Sequence, residues 1–135
     1  MYTSEIQIRV RYAETDPMNV VYHGNYAQYF EVGRVEAIRQ LGLSYKDVET
    51  MGIIMPVIEW TAKFLRAARY DDLLTIRTTL QQWPTDHRVE FLQEVLNEEG
   101  RLLTTGKVVL YFMKAATMEK TMMPEEMALR LRPYF

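Results

Sequence analysis

With 135 residues, 48% of them hydrophobic and 25% charged, the chain is long enough for one packed core and too short for two ordinary ones. A net charge of -2, with acidic and basic residues interspersed, leaves no basic stripe of the kind a nucleic-acid binder needs, which sets that class aside. There is no cysteine, so disulfides, thiolate nucleophiles and Cys-based metal sites are excluded; with only His23 and His87 a metal site would rest on carboxylates, and no metal or cofactor is expected.

Glu5 to Tyr12 alternates, with Ile6, Ile8, Val10 and Tyr12 on one face and Gln7, Arg9 and Arg11 on the other, the pattern of a half-buried strand. That alternation leaves no apolar signal-peptide core, and no apolar run approaches the ~20 residues of a membrane span, so a cytoplasmic protein is expected. Ala13 to Asn19 is turn-like and contains Thr15-Asp16-Pro17. Asn25 to Leu41 predicts one long helix: Tyr26, Tyr29, Phe30, Gly33, Ala37, Ile38 and Leu41 recur at three- and four-residue steps, and Gly42 stops it. The stripe is broad, which predicts a helix wrapped by other structure. Ser44 to Asp47 forms a capping signature for a short helix ending near Gly52.

The period then changes to two. Ile58, Trp60, Ala62 and Phe64 alternate with Val57, Glu59, Thr61 and Lys63; Leu74, Ile76, Thr78 and Leu80 form a similar series after the turn-like Arg69-Tyr70-Asp71-Asp72, and Val89, Phe91, Gln93 and Val95 come next. Trp60 and Trp83 read as strand-face aromatics. Asn97 to Gly100 makes a hairpin loop into a last strand, Leu102 to Met113, and Pro124-Glu125-Glu126 starts a tail helix carrying Met127, Leu129 and Leu131. Five strands and one long helix predict an α+β fold, an antiparallel sheet wrapped around a single central helix, with consecutive strands joined by short turns. With no linker, repeat or low-complexity segment, residues 1–135 form a single domain on this reading.

Chemistry-bearing residues concentrate between the first strand and the long helix, from Glu14 to Tyr26. A carboxylate here lies close to a helix N-terminus, whose free N–H groups favour negative charge. Acyl transfer needs that pair: a carboxylate to attack or to activate water, and N–H donors aimed at the developing oxyanion. Asp16 is the candidate carboxylate and the N–H groups of His23 or Gly24 the candidate donors, with Gly24 allowing close approach. Residue chemistry by itself favours a plainer role, in which Asp16 caps the turn before Pro17 and His23 is a hydrogen-bonder at the helix start.

The run Thr15-Asp16-Pro17-Met18-Asn19-Val20-Val21-Tyr22-His23-Gly24-Asn25-Tyr26 resembles the signature of the 4-hydroxybenzoyl-CoA thioesterase family, especially its branch of Tol-Pal-associated acyl-CoA thioesterases. Met55-Pro56, Arg69 to Asp72 and Pro124 to Glu126 also have family counterparts, so the resemblance spans nearly the whole chain. It implies a hotdog fold and hydrolysis of an acyl-CoA, or acyl carrier protein, thioester to the free acid. It maps the catalytic carboxylate onto Asp16, and onto His23 a position assigned by side chain in one branch and by backbone N–H in another. Tyr22, Gly24, Asn19 and Met55 would position the substrate. Arg88, where relatives place basic phosphate-binding residues, is a candidate for CoA, with Lys63 and Arg66 further ones. The family's usual loop glycine is Asn19 here, and asparagine is the best non-glycine residue for a left-handed backbone. Glu31, on the helix where a related branch carries its catalytic Glu, is a control position.

The resemblance also implies homodimers, often dimerised again, with Asp16 of one chain facing strand residues near Ile54 to Pro56 of its neighbour. Two other functions compete: a hotdog hydratase or dehydratase acting on β-hydroxyacyl thioesters, and a non-catalytic acyl-CoA-binding protein, for which a carboxylate beside the thioester has no use.

Overall fold

The computed structural model describes residues Met1–Phe135. In chain order it contains β1 (Tyr2–Arg9), α1 (Asn25–Gln40), α2 (Tyr45–Thr50), β2 (Ile53–Ile54), β3 (Val57–Phe64), β4 (Leu73–Leu80), β5 (Arg88–Leu96), β6 (Leu102–Tyr111), β7 (Met113–Lys114) and α3 (Glu125–Leu131). The five long strands form one antiparallel sheet in the order β1-β4-β5-β6-β3, and β2 pairs with β7 apart from it. The sheet curls around α1, which is the hotdog arrangement.

The helix crosses the sheet over a row of its smaller side chains. Ser4, Thr78, Gln93, Gly106 and Ala62 are register partners across all five strands, so a row of small and polar side chains crosses the concave face. Gly33 lies over this row: a Cβ there would come within 2.7 Å of Ile76 and 2.8 Å of the Thr78 hydroxyl. Gly106 lies under the Phe30 ring, and a Cβ on it would also meet the Thr61 carbonyl at 2.8 Å. Tyr29, Phe30, Ala37 and Ile38 complete the buried stripe against Leu74, Ile76, Val95 and Leu110.

Several expectations change. The first strand starts earlier than Glu5, and Tyr12 leaves it for a 3-10 turn over Tyr12–Glu14, where its ring is exposed. Consecutive strands are neighbours only for β4-β5-β6; β3 lies at the far edge against β6, while β4 pairs with β1. The chain from Leu65 to Asp72 therefore crosses one end of the sheet. β3 buries neither face fully, because the edge has no neighbour on one side. Trp83 lies outside the strands, its ring 5.5 Å from that of Phe135. Leu129 of α3 is exposed, whereas Met127 and Leu131 are buried. The Ser44–Asp47 capping box is present, with Ser44 Oγ accepting from Asp47 N at 3.0 Å.

Gly33→Ala and Gly106→Ala are each expected to destabilise the fold by about 1–3 kcal/mol, since neither backbone can withdraw without lifting α1 off the sheet. Chemical denaturation should show this directly, and an unchanged midpoint in both variants would contradict the close packing described.

Candidate active site

β1, β4 and β3 all have one terminus at the same end of the sheet, at Arg9, Leu73 and Phe64, and α1 begins there. The segment between β1 and α1 folds back on itself at that end. Thr15 pairs with Val21, and Asp16 N donates to the Val20 carbonyl at 2.9 Å, leaving Asp16 to Asn19 as the tip of a short hairpin. The crossing segment holds its other arm: Val20 pairs with Arg69, and Val21 N donates to the Ala68 carbonyl at 2.8 Å.

Asp16 performs the turn work that residue chemistry expects, with one oxygen. Its Oδ1 accepts from Met18 N at 2.9 Å and from Val20 N at 3.4 Å. Its Oδ2 takes no hydrogen bond from the chain. Asn19 has φ 65°, the left-handed conformation for which asparagine replaces glycine with least strain. The arm then enters α1 through Tyr22, His23 and Gly24. The N–H groups of Asn25 and Tyr26 turn back to the carbonyls of Tyr22 and His23, whereas those of His23 and Gly24 have no acceptor in the chain. They are the free donors that a helix start presents. The His23 ring is exposed, 4.4 Å from the Tyr22 ring and 6.3 Å from Phe64 at the end of β3, and it makes no hydrogen bond to Asp16.

A residue that pattern reading passed over holds this arrangement in place. Glu14 is buried, and its Oε1 accepts from Arg11 N at 2.8 Å and from the Tyr29 hydroxyl at 2.9 Å, while its Oε2 pairs with the Arg11 guanidinium at 3.0 Å. Its carbonyl accepts from Tyr22 N at 2.9 Å and from Asn25 Nδ2 at 2.8 Å. One residue thus ties the turn before Asp16 to the helix start after it. Burial pushes the Glu14 carboxyl up, but the bonds from Arg11 and Tyr29 outweigh burial and hold it below the usual carboxylate range. Burial, and then the Glu14 carboxylate, push the Tyr29 hydroxyl well up, so it remains a donor. The i,i+3 spacing of Arg11 and Glu14 was visible in the sequence; Tyr29 was counted only as part of the apolar stripe.

The other candidates divide between the two ends of the sheet. Arg66 lies in the crossing segment beside the loop, its N–H bonded to the Leu103 carbonyl at 3.0 Å. Lys63 is also near this end, but on the outer face of β3, beside Thr61, Thr105 and Lys107. Met55 and Arg88 lie at the opposite end, before β3 and at the start of β5. Met55 helps line a cavity of about 320 Å³ with Tyr45, Val48 and Ile53. Arg88 is exposed, with its guanidinium 3.7 Å from Glu90 and its N–H bonded to Asp86. One chain therefore brings Asp16, Asn19, Tyr22, His23 and Gly24 together, and keeps Met55 and Arg88 apart from them. Glu31 is exposed at a groove between α1 and β3.

Residues 10–131 match the family model described as the thioesterase-like superfamily. The chain belongs to that superfamily. A crystal structure of a DHNA-CoA thioesterase from Staphylococcus aureus superposes with a TM-score of 0.84 at 38% identity, covering 100% of this chain and 85% of that one. A hypothetical protein from Thermus thermophilus superposes with a TM-score of 0.89 at 33% identity, covering 98% of this chain and 99% of the other. The acyl-CoA thioester hydrolase YbgC of Escherichia coli O157:H7 is 29% identical over 118 residues, 87% of each protein.

Because the folded-state pKa of Glu14 is depressed, its contribution to stability is present above the ordinary carboxylate range and is lost as pH falls through the lowered value. Glu14→Gln is expected to cost roughly 1–3 kcal/mol at neutral pH, the cost of weakening a buried, charge-assisted network. The loss should shrink on acidification. Thermal melts from neutral to acid pH check this; a constant difference across the series would contradict it.

Proposed function

We propose that this superfamily member hydrolyses acyl-CoA thioesters, with Asp16 as the reacting carboxylate and the N–H groups of His23 and Gly24 as oxyanion donors. The observation that carries the proposal is that the same β1–α1 connection, tied together by Glu14, carries an Asp16 Oδ2 and two N–H donors, of His23 and Gly24, that take no hydrogen bond from the chain. Attack on the thioester carbonyl, by Asp16 or by a water it deprotonates, moves charge onto the carbonyl oxygen. Preorganised N–H donors stabilise that charge without reorganising. Collapse of the adduct expels the CoA thiolate, a good leaving group. The water route leaves the free acid directly, and the nucleophilic route leaves a mixed anhydride with Asp16 that water then hydrolyses to the acid. His23 lies at the same helix start, where it can orient water, and Tyr22 and Asn19 shape the mouth. The names of relatives on either side of the fold support the substrate: DHNA-CoA for the staphylococcal enzyme and acyl-CoA for YbgC.

The functional unit in this reading is a cytoplasmic homodimer of single-domain hotdog chains, able to pair again into a tetramer. The supporting feature is β3, an edge strand with Val57, Ile58, Trp60 and Phe64 exposed by 50%, 49%, 37% and 48%. An open apolar edge invites strand pairing. Antiparallel pairing of β3 with a second copy reverses the ends of the sheet, so the second copy's Met55 and Arg88 approach the Asp16 end. Lys63 and Arg66 are then available beside it for the phosphates of CoA.

A thiol-release assay over short, long and aromatic acyl-CoAs tests the activity. Asp16→Asn is expected to lower turnover by about 10²–10⁴-fold, the usual weight of a positioned acid–base group, with the melting temperature little changed. A variant retaining near wild-type hydrolysis would remove Asp16 from the mechanism. Light scattering at micromolar concentration should give at least a dimer; a monomer that hydrolyses at full rate would refute the paired site.

A further inference from the structure

The two edges of the sheet differ in what they offer. β1 is tied to the end of α1, where Ser4 Oγ donates to Gln40 Oε1 at 2.8 Å and Gln40 Nε2 donates to the Glu5 carbonyl at 3.3 Å. β3 bonds to β6 alone. The Thr61 carbonyl faces β6, 2.8 Å from the position of a Cβ on Gly106. Strand groups alternate in direction, so Thr61 and Lys63 bond inward, whereas Trp60, Ala62 and Phe64 turn their N–H and C=O groups to the open edge.

That alternation limits how a second copy can pair there. Outward-facing groups must meet outward-facing groups, so the two-fold axis of an antiparallel pair passes through a residue of β3, and each choice of residue brings different side chains together. With the axis at Glu59 or at Lys63, like charges face each other. At Trp60 two indoles collide, and at Ala62 Trp60 meets Phe64; in neither does Lys63 face a carboxylate. At Thr61 every contact is complementary: Lys63 faces Glu59 of the other copy and Trp60 faces Ala62, each twice. Lys63 and Glu59 are both exposed on the outer face of β3, and neither is in an ion pair of its own chain.

We propose that two copies join along β3 with Thr61 on the two-fold axis, held in register by reciprocal Lys63–Glu59 pairs, and that this register sets the second copy's Ile58 against Phe64 as a wall of the site. The inference rests on the paired site proposed above and adds to it a register and the residue that the second copy contributes. The Phe64 ring lies 5.3 Å from Tyr26 and 6.3 Å from His23 at the start of α1. Across from Phe64 in this register stands Ile58, 49% exposed in the single chain and the extra residue where the β3–β6 register shifts between Val57 and Glu59. With the axis one residue either way, Pro56 or Trp60 would stand there instead. The Lys63 ammonium has three donors, so a bond to Glu59 leaves others for a phosphate of CoA.

The chain has no cysteine, so single cysteines report the register without background. On the axis a residue meets its own copy, here in a non-hydrogen-bonded pair whose Cβ spacing admits a disulfide. Under mild oxidation Thr61→Cys should run as a covalent dimer on non-reducing gels, while Trp60→Cys and Ala62→Cys should not. Preferential cross-linking of either of those two overturns the register and leaves the paired site standing. Glu59→Lys and Lys63→Glu each set like charges opposite one another. Each should raise the dimer dissociation constant, measured by sedimentation, roughly 5- to 30-fold, and the chain carrying both changes should return near the wild-type value. Single changes without effect, or a double change no tighter than the singles, overturn the Lys63–Glu59 pairing. For the wall, Ile58→Trp and Asp16→Asn should each lower turnover alone and recover part of it when co-expressed, because one site of the mixed dimer then has both residues intact. Full activity of Ile58→Trp, or no recovery on co-expression, removes Ile58 from the site. A wild-type monomer overturns the paired site and this inference together.

Discussion

The close seating of α1 on a row of small and polar side chains is the constraint on which the rest of the molecule depends. Phe30 presses on Gly106 and Gly33 lies on Thr78 and Gln93, so the helix approaches the sheet backbone more closely than larger residues would allow. The sheet can then curl around it, and the helix axis is fixed relative to every strand. Moving the helix outward by the width of one methyl group would shift its first turn, and with it the N–H groups of His23 and Gly24. The polar members of the row do not weaken this packing, because Gln93 satisfies both of its amide groups against Phe30, Thr78 and Arg34. A buried amide bonded on both sides adds register to a core that apolar packing alone would leave free to slide.

From that fixed axis the loop is built by short-range hydrogen bonds. Asp16 organises its own turn, Asn19 adopts the left-handed backbone, and Glu14 links the turn to the helix start. The crossing segment from Leu65 to Asp72 supplies the outside wall through Ala68 and Arg69. This crossing exists because β3 and β4 are separated in the sheet. The strand order that leaves β3 at an open edge is thus the same feature that buttresses the loop. Site and edge are consequences of one topology.

The interior between α1 and β3 combines an apolar slot with the buried Arg34 guanidinium, which faces Gln93 and Tyr45. The walls of the slot, Trp60 and Val57, belong to the edge strand that a second copy would cover. Closing the edge would also exclude water from the slot and strengthen the Arg34–Gln93 hydrogen bond inside it.

Much of this was legible in the residue order. The period-two runs located β4 and β5 closely, the three-four stripe from Tyr26 to Ile38 located α1, and the Ser44 box located α2, because side-chain periodicity and capping are local properties of the backbone. The loop from Asp16 to Gly24 stood out by its composition, and Asn19 by its tolerance of positive φ. Pairing order was not legible, since a strand's alternation records that one face is covered without recording which strand lies beside it; hence β3 was expected next to β4. The burial of Glu14 and Arg34 was not legible, because burial of a charged side chain depends on elements distant in sequence: Tyr29 for the first, Gln93 and Tyr45 for the second. The sequence by itself therefore determined the main elements and the residues of the loop. Only the tertiary structure decided which end of the sheet holds it, which edge is open and which charges lie inside, as these follow from long-range packing around a single helix.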